Sequence, residues 1–243
     1  NTFTVPTSAY EVSGGLIHYL DGDTLYRQDG YNAASFTAVG HFGSGFSVNS
    51  FPAFVEFSPD GSRVAVGNNG GADFSTYQIA VFEASLLGAS NPDLSASSSI
   101  YGVNHSAAVW ANNTELFLTA GVFGSPGVVT RLDTTSATGL PVNPMLVNNI
   151  GGASGGVALD ANNNLFTGNG FMGSGPSGTG WIKAIRSAAW QTSPPVDFEN
   201  SPSSVFTADL LSANSLGFDC EGNLLVGGGD FGGDINYFAL VSA

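Results

Sequence analysis

Basic residues are nearly missing from this chain: 243 residues carry only 5 Lys plus Arg against 19 Asp plus Glu, a formal net charge of −14. Phosphate backbones and anionic lipid surfaces are held by basic stripes, so nucleic acid and acidic membranes are excluded as partners. Cysteine is scarcer still. Cys220 stands alone, which rules out an intrachain disulfide and a cysteine-rich zinc centre. No apolar run reaches the length of a transmembrane segment, and the best helical stretch, 82–87, is short. The GxSxG, HExxH and GxxxxGK[ST] patterns of common catalytic and phosphate-binding sites are absent as well.

Glycine, by contrast, is abundant at 34 residues, and it punctuates a degenerate segment that recurs five times. The copies are 16–30 (LIHYLDGDTLYRQDG), 54–71 (FVEFSPDGSRVAVGNNGG), 107–121 (AAVWANNTELFLTAG), 156–170 (GVALDANNNLFTGNG) and 216–229 (LGFDCEGNLLVGGG). Each reads as an apolar strand, a tight turn, a second apolar strand and a glycine-rich tail. The turn pairs Asp21-Gly22, Asp60-Gly61, Asn112-Asn113, Asn162-Asn163 and Glu221-Gly222 supply residues that tolerate positive φ. A hairpin repeated along the whole chain predicts an all-β fold, a β-propeller-like radial array of five to seven blades in one domain over residues 1–243. Each hairpin is expected to give the first two strands of a blade, with third strands at 78–82, 128–132, 181–185 and 236–241. A strand at 35–39 suggests a further irregular blade, and the 2–5 run is expected to pair with the last strand and close the ring. The Phe that recurs in the glycine tails is expected to fill the groove between blades.

This register sorts the polar residues. His41, Asp73 and Asp230 fall in loops between second and third strands, and His105 falls just ahead of a first strand; such positions share one face of a propeller. Imidazole is the most versatile neutral metal ligand, so His41 and His105 are the first candidates for a metal pair. His18 lies inside a strand and is expected to be structural. Asp73, Asp230 and Asp234 can offer oxygens to Ca²⁺. Asp160 and Asp219 align one residue before a turn, where side-chain bonds to the turn backbone explain them. Only six glutamates occur (Glu11, Glu56, Glu83, Glu115, Glu199, Glu221), and none stands at the start of a first strand. A hydrolytic propeller gathering Glu, Asn and Asp around a divalent ion would have to use Asn214, Asn104 and Asp73.

In its acidic, glycine-rich exported pattern with two candidate histidines, the chain resembles the surface copper-binding proteins of methanotrophic bacteria, the MopE and CorA family. The resemblance implies one copper, mainly Cu(I), on His41 and His105, a tryptophan oxidised to kynurenine as third ligand, and bound calcium. The family's Trp-x-His spacing is absent, since Val39 and Val103 stand two residues before the histidines. Trp181, at the start of a third strand, and Trp110, five residues beyond His105, are the available tryptophans. The chain starts at Asn1 without Met, as after removal of a secretory leader. The resulting expectation is a secreted or surface-associated metal-binding protein, copper-binding or copper-acquiring, with a possible cell-surface receptor as partner. A carbohydrate- or protein-binding surface propeller and a calcium-dependent lactonase-like hydrolase are the alternatives.

Overall fold

The computed structural model describes residues 9–43, 52–69, 77–121, 125–135, 144–153, 155–171, 180–201, 204–210, 212–229 and 236–241. Among them the chain forms five small sheets in succession, each an antiparallel meander, the array of a five-bladed β-propeller. The first sheet runs β1 (Tyr10–Ser13), β2 (Leu16–Asp21), β3 (Thr24–Gln28), β4 (Phe36–His41), and the second β5 (Pro52–Phe57), β6 (Arg63–Asn69), β7 (Tyr77–Glu83), β8 (Ser99–Tyr101). The third contains β9 (Ala107–Trp110), β10 (Glu115–Ala120), β11 (Gly127–Asp133) and β12 (Met145–Ile150). The fourth contains β13 (Val157–Leu159), β14 (Leu165–Gly168), β15 (Gly180–Ile185) and β17 (Ser204–Leu210), and the fifth β18 (Ser215–Phe218), β19 (Leu224–Gly229) and β20 (Asn236–Val241). Before β17, the helix α1 (Ser187–Thr192) and β16 (Val196–Asp197) leave the fourth sheet, and β16 pairs parallel with β12 of the third.

Four of the five recurring hairpins are the first two strands of their sheets, as expected. The first copy is not. It forms β2 and β3, because Gly14-Gly15, at φ of 60° and 76°, turns an earlier strand, β1, onto β2. The strand at 35–39 is consequently the fourth of the first sheet rather than the seed of another blade. His41 ends that strand and does not lie between second and third strands, a correction to its expected place. The expected third strands are all found, as β7, β11, β15 and β20. The helical stretch shrinks to a 3-10 turn at Ala84–Leu86, whereas α1 was not foreseen. The 2–5 run lies outside the described residues.

Two compact units divide the chain: one holds the first two sheets with segments 112–115 and 133–141, the other holds the remaining three sheets. In the first unit, Leu20, Leu25, Val39 and Phe42 of one sheet interdigitate with Val55, Val64, Val66 and Phe82 of the next. Phe42 is fully buried and meets the Phe82 ring edge-on at 5.8 Å, so here the glycine-tail Phe does fill the space between two sheets. Arg63 staples this unit, donating to the Asn113 carbonyl and to both the hydroxyl and the carbonyl oxygen of Thr134.

In the second unit, Phe117, Val147, Leu165, Trp190 and Phe198 form the main core, and Phe166, Ile182, Leu224 and Val226 a second one. Its sheets are stitched where their first strands begin. Thr119 donates its hydroxyl to the Gly155 carbonyl, Gly156 its N–H to Ala213, and Ala213 its N–H to Asn169. Such close backbone approach explains the glycine tails. A Cβ on Gly155 would stand 2.5 Å from the Gly168 carbonyl, and one on Gly170 would run into the carbonyl of Ala153. The detour through α1 and β16 is tied down at each end. The Trp190 indole donates to the Asn163 carbonyl, Phe198 N–H donates to Asn148, and the buried Lys183 ammonium donates to the carbonyls of Phe198 and Glu199.

Candidate functional site

The first unit brings together two groups that stand in different repeats, Glu11 on β1 and Glu56 on β5. Glu11 lies opposite His18 in the β1–β2 register. The His18 ring is buried, contacts the Phe57 ring at 4.6 Å, and is 3.2 Å through Nδ1 from the Leu16 carbonyl. β5 is the first strand of its sheet and pairs only with β6, so its other edge carries backbone donors. Glu11 satisfies one of them: its Oε2 accepts the Phe57 N–H. Glu56 precedes Phe57, and its carboxyl lies within the field of Glu11.

Crowding two acids into partly buried space disfavours their ionised forms. Burial pushes the Glu11 carboxyl up to about 7, with the Phe57 N–H pulling the other way. Glu56 is raised well above the usual carboxylate range, first by burial and then by the charge of Glu11. Burial brings His18 down to about 4, and Arg27 on β3 adds to that fall, while its bond to Leu16 opposes it. The result is a Glu11 carboxyl raised to about 7, beside a second acid raised in the same direction and an imidazole lowered to about 4. The sequence signal was a Glu inside the apolar run FVEF, one of only six in the chain.

The opposite face of the first sheet carries aromatic rings in register. Tyr10, Tyr19 and Tyr26 stand opposite one another on β1, β2 and β3. The Tyr19 and Tyr26 rings stack at 5.0 Å and 12°, and Phe36 meets Tyr19 edge-on at 5.1 Å. Tyr19 is buried beneath this layer, yet Tyr10 is 56% exposed and Val12, two residues along the same face, 60% exposed.

The expected metal residues fall in both units. His41 belongs to the first unit and His105 to the second. The Nδ1 of His41 lies 2.8 Å from the Asn91 carbonyl, to which its N–H donates. Asp93 pairs with His41 in a short bridge, and its carboxylate is held below the usual range chiefly by Ser95 and in small part by His41. His105 stands two residues before β9, just ahead of a first strand as its register predicts, and is wholly buried there. Trp110 ends β9, at the far end of that strand from His105. Trp181 lies in β15, but its side chain, like Asp73, Asp230 and Asp234, is outside the described residues. Among the described residues no three His, Cys, Asp or Glu side chains gather as a metal site. Asp160 and Asp219 do what their alignment implied: each carboxylate accepts N–H groups two and four residues on, and the side-chain amide of Asn164 or Asn223.

No known family and no curated protein matches the chain. Solved structures share its fold at low identity. A gluconolactonase from Xanthomonas campestris is similar at a TM-score of 0.57 and 11% identity, over 90% of this chain and 68% of that one. TolB from Acinetobacter baumannii gives 0.56 and 16%, over 96% and 50%. The extracellular domain of a one-component system from B. thetaiotaomicron gives 0.53 and 10% over all of this chain, which spans 28% of its length. No helix is long and apolar enough to cross a membrane among the described residues.

Proposed function

We propose that this chain is a surface-acting binding propeller that takes neutral saccharides on the aromatic face of its first sheet. The observation that carries it is the in-register row of Tyr10, Tyr19 and Tyr26 backed by Phe36, with Tyr10 and Val12 exposed at its edge. Contiguous exposed apolar surface marks an interaction site. Flat rings with hydroxyl tips suit a ligand with both C–H faces and hydroxyls, and the net charge of −14 repels anionic glycans. The likeness to an extracellular domain supports an external location. Glycan-array binding followed by titration tests the reading. Tyr10→Ala and Tyr26→Ala should each weaken the best neutral glycan by about tenfold while leaving the far-ultraviolet spectrum unchanged. Absence of any glycan binding, or equal affinity in both variants, would overturn it. Hydrolysis of gluconolactone that is lost in Glu11→Gln would instead favour the lactonase-like alternative.

A second reading, copper binding, is favoured by the His41 geometry. A ligating histidine commonly donates its other ring N–H to a carbonyl, as His41 does to Asn91. Cu(I) titration should then show one equivalent bound by the native chain and none by His41→Ala, and His105→Ala distinguishes a one-histidine from a two-histidine site. Full copper occupancy in His41→Ala excludes this reading.

A further inference from the structure

We propose that Tyr31, on the loop between β3 and β4, is a further stacking platform of the first sheet, and that the ligand is a linear neutral oligosaccharide of several sugar rings; the proposal rests on the saccharide reading of that sheet and adds to it a chain length and the residue that senses it. Among the described residues no large apolar or aromatic side chain is more exposed than Tyr31, at 82%.

An exposed ring on a loose loop would lose much of its stacking energy to the ordering of the loop. This loop is already ordered. The Asp29 N–H donates to the Ser35 carbonyl, and the Asp29 carboxylate accepts the Thr37 hydroxyl at 2.6 Å. Between those anchors the Ala33 N–H closes a turn on the Gly30 carbonyl, with Asn32 at a φ of 61°, which sets Tyr31 at the first corner of the turn. Gln28 ties the turn to the sheet. Its buried side chain accepts the Ile17 N–H of β2 and donates to the Ala33 carbonyl at 2.7 Å.

The position of the turn sets the length of the ligand. Tyr19 and Tyr26 pair across β2 and β3, and two residues farther along β3 Gln28 stands opposite Phe36, the first residue of β4. That step covers about 7 Å, and the turn carries Tyr31 past the ends of both strands. The tyrosine row, Phe36 and Tyr31 thus succeed one another along the strand direction, so a chain laid along β3 meets all three while a single sugar meets one. Acidic sugars are disfavoured at this end. No Lys or Arg occurs from Gln28 to His41, Asp29 stands two residues from Tyr31, and Arg27 alternates to the face opposite Tyr26 and Gln28.

Titration calorimetry with β-1,4-linked gluco-, manno- and xylo-oligosaccharides, each from monomer to hexamer, tests the platform. Affinity for the best series should rise with length in the native chain. Tyr31→Ala should weaken the hexamer by about tenfold and leave the dimer within about twofold, while Tyr31→Phe keeps the native affinities. Tyr10→Ala, in the row itself, should weaken every length that binds. Loss in Tyr10→Ala with none in Tyr31→Ala would overturn the platform and leave the saccharide reading standing. Equal loss at all lengths in Tyr31→Ala, or a loss in Tyr31→Phe as large as in Tyr31→Ala, would also overturn it. Absence of binding by all three series overturns it outright, and a silent glycan array then removes the saccharide reading as well.

Discussion

At Gly170 there is no space for a methyl group, because the Ala153 carbonyl already occupies the position a Cβ would take. Gly170→Ala should lower unfolding free energy by about 3 kcal/mol, read by urea denaturation. Arg63 is the converse case, a residue defined by what it reaches. Arg63→Met should cost about 2–3 kcal/mol, since Thr134 loses charge-assisted bonds at its hydroxyl and carbonyl. His18 gives the chain an acid limb. Its folded value near 4 lies below the unfolded 6.5, so the stability it contributes is present above about pH 6.5 and fades as pH falls toward 4. His18→Phe should remove that loss, and thermal melts across the acid range will show it. At this scale the sequence was legible where a residue acts on its neighbours. Asp160 and Asp219 bond within four residues, and their alignment revealed it. Glu11 and Glu56 act across 45 positions of chain, and a spacing of that kind carries no local signal.

Among elements, the hairpins were readable because alternating apolar residues and an Asp-Gly or Asn-Asn turn are both local. The first sheet was misframed for the same reason. Two similar turns, Gly14-Gly15 and Asp21-Gly22, follow each other closely, and β1, with a glutamate and an exposed tyrosine, lacks the apolar run that marks the other first strands. The α1–β16 detour has no repeat partner, so alignment of the copies could not find it. Its anchor is Lys183, buried in β15 over the Phe198 ring at 5.0 Å. Lys183→Met preserves the volume but deprives the Phe198 and Glu199 carbonyls of their donor. It should cost about 2 kcal/mol and increase proteolytic cutting within 193–201 before the rest of the second unit yields.

For the molecule as a whole, charge is the dominant variable. With 19 acids and 5 bases the folded chain repels itself, and screening relieves that repulsion. The melting temperature at neutral pH should therefore rise by a few degrees, roughly 3–5 °C, between low and physiological salt. A flat response would mean that the acids are spaced too widely to interact. The parallel pairing of β16 with β12 has a mechanical meaning. Chain that belongs to the fourth sheet is threaded back onto the third before returning, so neither can be peeled away alone. Under a stretching force the two should rupture in a single step, with a contour-length release that spans both, while the fifth sheet unravels strand by strand.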